Sequence, residues 1–512
     1  MKTKAYIGGL IAAAATLGLT GCSSDWLNVE SPISESVEEY FTTNAHIQEA
    51  VIAAYDPLHW PDWGMGSYEP VNIMSDIMAD DFWVGGADKT DNAHWHYMMN
   101  FDARPNSVIS GIWTEAYSGV KRCNDVMQYI AGGNIADMSQ DDAKYYEAQA
   151  RVLRVYYYNW LWKFWGNVVY YDKNFEGAPY LGTQYKADEI YGFMIEDLEA
   201  ALALDALPMK ETVENYGRVT KAMAYMLYAE ITMYQKDEDR YPTALQYMKE
   251  IINSGEYDLN PDYANIFEES GEWTRESIFE VNYISLNAVR DWGSPLTAGG
   301  TVLPTLISPN GWEGGLDNHD GGWGFCPVRQ ETYDRYAEGD VRRDATCWNA
   351  GKVCEETGKT YTKRYQDTGL FLQKYCAITG NNAGQKASSE LNWNNNLRVY
   401  RYAETLLNAA ELVLRHAGEG DAQGWLDLVR DRAGVPSVPA TLDNVIEERH
   451  LEFVGEGKRY WDLIRCDLAQ AVLVPDAYGY RTNTWSPNKK YLPISQSEMD
   501  KAQNTLTQNP YN

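Results

Sequence analysis

The chain alternates between long stretches in which apolar residues recur every three or four positions and long stretches in which they do not. The first kind predicts amphipathic helices. Asn44 can cap a helix through Ile47, Val51 and Tyr55 that ends at Pro57. Trp113, Tyr117, Val120, Val126 and Ile130 mark a second. A long third, capped by Asp141 or Asp142, runs through Ala148, Val152, Val155 and Trp162 to a stop at Gly166. Tyr191 to Leu204 predicts a fourth, closed by Pro208. Val219 to Tyr234 places Ala222, Met223, Leu227 and Ile231 on one face. After a charged turn, Pro242 starts a partner through Leu245, Met248 and Ile252 that Gly255 stops. This helix–turn–helix of roughly 35 residues has the tetratricopeptide period. A similar pair is expected at Leu397 to Leu414 and Asp421 to Arg432.

Two stretches break the pattern, at about 57–105 and 256–390. Both are rich in Trp and Gly with little helical period. Loops this long inside a compact chain are usually functional. The first holds Asp80-Asp81-Phe82-Trp83-Val84-Gly85-Gly86 and Asn92-Ala93-His94-Trp95-His96, and the second holds Tyr283, Trp292, Trp312 and Trp323.

Composition narrows the chemistry. The formal charge is −30, with 73 acidic residues, so the surface repels phosphate backbones and nucleic acid is excluded as a natural partner. Tyr and Trp, at 38 and 18, far outnumber the 11 Phe. Such rings combine a stacking face with a polar edge, which suits packing beside water or gripping a polar ligand.

Residues 1–21 read as a signal peptide. Lys2 and Lys4 form a basic start, Ala5 to Leu19 is an apolar run too short to span a bilayer, and Leu19-Thr20-Gly21-Cys22 resembles a bacterial lipobox. Lipidation at Cys22 would anchor the mature chain to a membrane without crossing it. Residues 22–43 then form a polar tether, and residues 44–512 a single domain carrying both insertions. Six further cysteines follow no zinc-binding spacing; Cys347 and Cys354 bracket a turn that a disulfide can close, and the others are expected as buried thiols.

Near the C-terminus, Leu442, Val445, Ile446, Arg449 and Phe453 share one helix face, which sets a guanidinium among apolar neighbours. It needs carboxylates there, and Glu452, Glu456 and Asp462 are the nearest in sequence. Gly455 and Gly457 break this helix, and Arg459 to Arg465 starts another. So many interleaved acids and arginines indicate a packing network. The pattern E-R-x-x-E-x-x-x-E-G-x-R-x-x-D-L-I-R, from Glu448 to Arg465, resembles the C-terminal signature of the SusD/RagB family of Bacteroidetes outer-membrane lipoproteins. Tyr491-Leu492-Pro493-Ile494 and the ending from Asn504 to Tyr511 resemble the same family, with Ser495 in place of a second proline. The resemblance implies a mostly α-helical, tetratricopeptide-like helical-repeat scaffold with large loop-rich insertions. It also implies a cell-surface lipoprotein of the outer membrane, partnered by a SusC-like TonB-dependent transporter beneath it, that captures oligosaccharide or polysaccharide for uptake. Peptide capture, as in RagB-like members, is the alternative within the family.

The loops fit a glycan. A pyranose has a flat C–H face that lies on an indole ring, hydroxyls that need polar partners, and a need for close backbone approach that glycine permits. Trp83, Trp292 and Trp312 are the leading platform candidates, with Trp95, Tyr283 and Trp323 beside them and Asp80 and Asp81 to orient hydroxyls. Each of these rings can equally be core. His94 and His96 can both reach one metal only outside a helix. Asp317-Asn318-His319-Asp320-Gly321 has the oxygen donors of a calcium loop but lacks its distant glutamate, and reads as a turn. No G-x-S-x-G, P-loop, dinucleotide fingerprint or H-E-x-x-H occurs, so nothing marks an enzyme, although paired carboxylates for glycoside hydrolysis need only meet in space. No cofactor is expected.

Overall fold

The protein is described here by a computed structural model covering residues 40–64, 67–133, 135–285, 290–293, 299–313, 317–382 and 388–511. The signal sequence, Cys22 and most of the tether lie outside the described residues. The scaffold helices, numbered apart from shorter loop helices, are α1 (Asn44–Tyr55), α2 (Gly111–Ala131), α3 (Gln140–Trp165), α4 (Ala187–Ala203) and α5 (Lys221–Gln235). They continue as α6 (Tyr241–Ser254), α7 (Tyr402–Leu414), α8 (Ala422–Ala433), α9 (Leu442–Phe453) and α10 (Arg459–Arg465). From α1 to α8 each packs on its successor, α9 returns against α7, and α10 sits on α5. Stacked helix pairs of this kind bury one continuous core.

Local chemistry sets the ends. Thr43, not Asn44, caps α1. Ser139, not Asp141 or Asp142, caps α3: its hydroxyl accepts from the Asp142 N–H while Asp142 answers the Ser139 N–H, a capping box. Gly255 ends α6 in a left-handed conformation, as the pattern predicts. The close approach of α2 to α3 requires Gly119, since a Cβ there would sit 2.3 Å from the Tyr157 ring. Tyr157 then donates to the Ala54 carbonyl at 2.7 Å, tying α3 to α1. Tyrosine thus serves this scaffold as an apolar body with a hydrogen-bonding tip.

One prediction fails by element type. Leu397–Arg401 is not the start of a helix but strand β6, antiparallel to β3 (Ser277–Val281). Its Val and Tyr favour extended backbone, and pairing with β3 carries Arg401 to the buried Glu276. Shorter antiparallel pairs join β1 (Val168–Val169) to β2 (Gln184–Tyr185) and β4 (Cys347–Asn349) to β5 (Leu370–Leu372). The Cys347–Cys354 bridge that the sequence allows does not form, and both are free thiols. The segment between them is no turn. Cys347 points from β4 into the main core, whereas Cys354 rides the helix Ala350–Thr357 toward a smaller cluster.

The C-terminal signature is the keystone. Arg449 reaches Asp462 at 3.0 Å and Glu404 at 3.3 Å, but neither Glu452 nor Glu456, which face away on the neighbouring stripe of α9 and the loop after it. Those two acids instead receive Arg401, at 3.0 and 2.8 Å. Glu452 is also met by Arg342 and Arg432, and Glu456 by Lys374. All are buried. Burial alone would raise the Glu452 carboxyl, but Arg432, Arg401, Arg342 and Lys374 bring it down to about 2.

Candidate functional site

The two insertions meet on the surface, and their aromatic residues divide there into two sets. Trp83, Trp95, Trp312 and Tyr283 are buried, against the expectation that they face a ligand. Trp83 is 2% exposed, with the Arg329 guanidinium 3.6 Å above its ring. Trp95 lies on a short helix (Ala93–Met99) and packs on Phe325. That helix also places His94 and His96 two residues apart, on different faces, so they cannot share a metal. Trp312 forms a small core with Trp348, Ala350 and Phe371. Tyr283 meets His59 edge-on beneath the surface.

Asp80 and Asp81 are likewise occupied by the fold. Asp80 takes a two-pronged contact from Arg459, at 2.8 and 3.0 Å. Burial would raise its carboxyl, yet His450 and Arg459 hold it well below the usual range. Asp81 lies 2.7 Å from His450 Nε2 and accepts from the Thr332 hydroxyl at 2.9 Å. Among the described residues, Asp80, Asp81 and His450 form a group with potential metal-ligating atoms within 4.8 Å. Arg459 already neutralises Asp80, so the arrangement reads as a clamp joining the first insertion to the C-terminal signature. At Asp317-Asn318-His319-Asp320-Gly321, Asp317 accepts from the His319 N–H and Asp320 from the Thr379 hydroxyl.

Trp292 and Trp323 come together at the surface. Their rings are nearly parallel, 6.0 Å apart at 25°. Trp292 is 46% exposed. Two further rings complete the group: Trp63 meets Trp292 edge-on at 5.3 Å, Tyr68 meets Trp323 edge-on at 5.3 Å, and Trp63 stacks on Tyr68 at 4.8 Å. Two near-parallel pairs therefore stand roughly perpendicular to each other, each ring supported by another's edge. Trp63 and Tyr68 escaped the reading of the sequence. The Trp-Gly-Met-Gly run at 63–66 carries the same signal of an aromatic beside glycines and could have found them.

Polar struts fix this cluster. The Trp292 indole N–H donates to Glu390 at 3.1 Å, and the Trp63 indole N–H reaches the Asp291 carbonyl at 3.5 Å. Arg290 is buried and ties both loops together: it donates to Asp62 and to the Trp63 carbonyl, each at 2.7 Å, and to the Gly300 carbonyl. Beneath Trp63 the chain runs so close to Glu115 that a Cβ on Gly64 would lie 2.1 Å from Oε1. Burial, then Glu69 and Asp62, push the Glu115 carboxyl well above its ordinary value. Burial, then Glu390 and Asp91, push the Tyr68 phenol up to about 12. It therefore keeps its proton and can donate a hydrogen bond at the rim. The arrangement offers flat apolar faces, a hydroxyl donor and carboxylate acceptors, held rigid from behind.

Comparison with known proteins agrees with this chemistry. The family model described as "SusD family" matches residues 275–511, and one described as "Starch-binding associating with outer membrane" matches residues 25–233. The chain is similar to the structure of surface glycan-binding protein A from Bacteroides thetaiotaomicron in complex with laminarihexaose. Identity is 65%, the TM-score is 0.89, and the match covers 92% of this chain and 100% of that one. Surface glycan-binding protein A from Bacteroides uniformis is 50% identical, with a TM-score of 0.83 over 92% of this chain and 100% of the other. A SusD-like protein P2 of Formosa agariphila is 26% identical over 96% of this chain and 97% of the relative.

Proposed function

This chain belongs to the SusD family, and from that premise we propose that it captures β-1,3-linked glucan at the cell surface on the platform of Trp292, Trp323, Trp63 and Tyr68. The exposed Trp292 face, braced by three other rings, is the observation that carries the reading. It gives a sugar ring a place to stack without a change in the fold. The relative bound to laminarihexaose, at 65% identity, supports this ligand class. Capture, rather than hydrolysis, is the proposed activity. Glu390 and Asp291 hold the platform together, Glu390 through the Trp292 indole and Asp291 through the Gly293 N–H.

The proposed setting is the outer membrane. Cys22 carries the lipid, the chain faces outward, and a SusC-like TonB-dependent transporter lies beneath and receives the glycan. Among the described residues no helix is long and apolar enough to cross a membrane. The family model's description as outer-membrane-associated supports the location.

The test is calorimetry on the soluble form lacking residues 1–22, titrated with laminarihexaose and, separately, with peptides, followed by chromatography of the sugar. Saturable binding of an oligosaccharide recovered intact supports the reading. Shortened products would make the protein a glycosidase, and binding of peptide alone would favour the peptide-uptake branch.

A further inference from the structure

A second aromatic group stands apart from the platform, on the loop 476–481 near the C-terminus. Tyr478 is 59% exposed and stacks on Tyr480, with ring centres 5.8 Å apart at 16°. Exposed tyrosines are common, but this loop is built to hold them. The Asp476 carboxylate accepts from the N–H groups of Tyr478 at 2.7 Å, Tyr480 at 3.2 Å and Arg481. Arg481 is fully buried and donates to the carbonyls of Ala79 at 2.7 Å and Met99 at 2.9 Å. Tyr480 leans edge-on against both Trp83 and Tyr365. The buried Trp83, stacked beneath Arg329, is thus the wall behind the tyrosine pair.

Short structural steps connect this pair to the platform. Gly86 donates to the carbonyl of Gly324, next to Trp323, and accepts from the N–H of Tyr365. The Arg364 stem passes beside Gly324, where a Cβ would meet it at 3.4 Å. Its guanidinium is 3.6 Å from Asp91, and both groups are partly open to solvent. Two aromatic stations therefore flank a charged pair that can exchange hydrogen bonds with hydroxyls. Two stations joined in this way suit a chain of sugars rather than a single one, because each contributes modestly and both must be spanned at once.

We infer that Tyr478 and Tyr480 form a second glycan station, engaged by the same polysaccharide chain that stacks on Trp292 and Trp323, with Arg364 and Asp91 as polar contacts between them. The occupant is the continuation of one glucan chain. The inference rests on the platform reading above, and its consequence is a dependence of affinity on chain length. Short oligosaccharides reach the platform alone, whereas long ones reach both stations.

The experiment is calorimetry on the soluble form with laminaritriose, laminarihexaose and laminarin polymer, comparing wild type with Tyr478→Ala, Tyr478→Trp and Trp292→Ala. Tyr478→Ala is expected to weaken polymer binding about fivefold or more while leaving the trisaccharide unchanged. Tyr478→Trp, with its larger face, is expected to tighten polymer binding. Unchanged polymer affinity in both Tyr478 variants, or an equal loss for trisaccharide and polymer, would overturn the inference. Wild type that binds none of the three sugars would instead remove the platform reading on which it stands. Loss in Trp292→Ala with no effect in either Tyr478 variant would remove the second station and leave the platform in place.

Discussion

The buried arginine–carboxylate network and the aromatic platform are opposites in how they use side chains. In the network, Arg401, Arg342 and Arg432 converge on Glu452 away from water, and each charge is satisfied by others the fold supplies. In the platform, rings satisfy one another's edges while one face of Trp292 is left for something outside the protein. Dense conspicuous chemistry here marks structure, and a sparse pattern of rings beside glycines marks the candidate site. The two regions are nevertheless joined. Asp80 and Asp81 lock the first insertion onto Arg459 and His450, so the network indirectly fixes the loops from which the surface is built.

The largest expected effect separates them by stability. Glu452→Ala removes a carboxylate shared by Arg342, Arg401 and Arg432, leaves their buried positive charge under-compensated by the carboxylates that remain, and should lower unfolding free energy by about 3–5 kcal/mol. Urea denaturation measures it, and glycan affinity of the fraction that remains folded should match wild type. Lost binding at unchanged stability would move the site into the network.

Acid offers a slightly smaller break. The folded Glu452 carboxyl is held at about 2 against an ordinary 4.5. A depressed carboxyl contributes stability that is present above the unfolded value and lost as pH falls through the folded one. Stability should therefore drop between pH 4.5 and about 2, by on the order of 3 kcal/mol from this group. Denaturant melts across that window in wild type and Glu452→Gln, where the drop should shrink, provide the check.

At the platform the effects are smaller and fall on binding. Glu390→Ala removes the acceptor of the Trp292 indole N–H and should cost about 1 kcal/mol of affinity through a looser ring. Glu390→Gln, which keeps an acceptor, should recover most of it in the same titration.

Much of the scaffold could be read from the sequence because its helices carry local signals. Periodic apolar positions, Gly255 after α6 and the glycine breaks at 455 and 457 all act within a few residues of the boundaries they set. Where distant partners decide, the reading failed. Leu397–Arg401 has the spacing of a helix and becomes a strand because β3 and Glu276 are waiting for it. Trp83 sits between two acids and two glycines, a local setting that signals an exposed loop. Its burial is set by Arg329, Tyr480 and the clamp to His450 and Arg459, all remote in sequence. Trp292 and Trp323 were legible as candidates, but their pairing with Trp63 and Tyr68 appears only when the two insertions meet in space. Trp312 shows the same limit, since its core is completed by Trp348 and Phe371.

The central claim is that the exposed tryptophan, not the buried ones, carries the glycan. Calorimetry with laminarihexaose on Trp292→Ala and Trp83→Ala, each beside its thermal melt, tests it most directly. Trp292→Ala should lose about 1–3 kcal/mol of binding with its melting temperature nearly unchanged. Trp83→Ala should lose about 3–5 kcal/mol of stability, and its folded fraction should still bind. Wild-type affinity in Trp292→Ala would contradict the account.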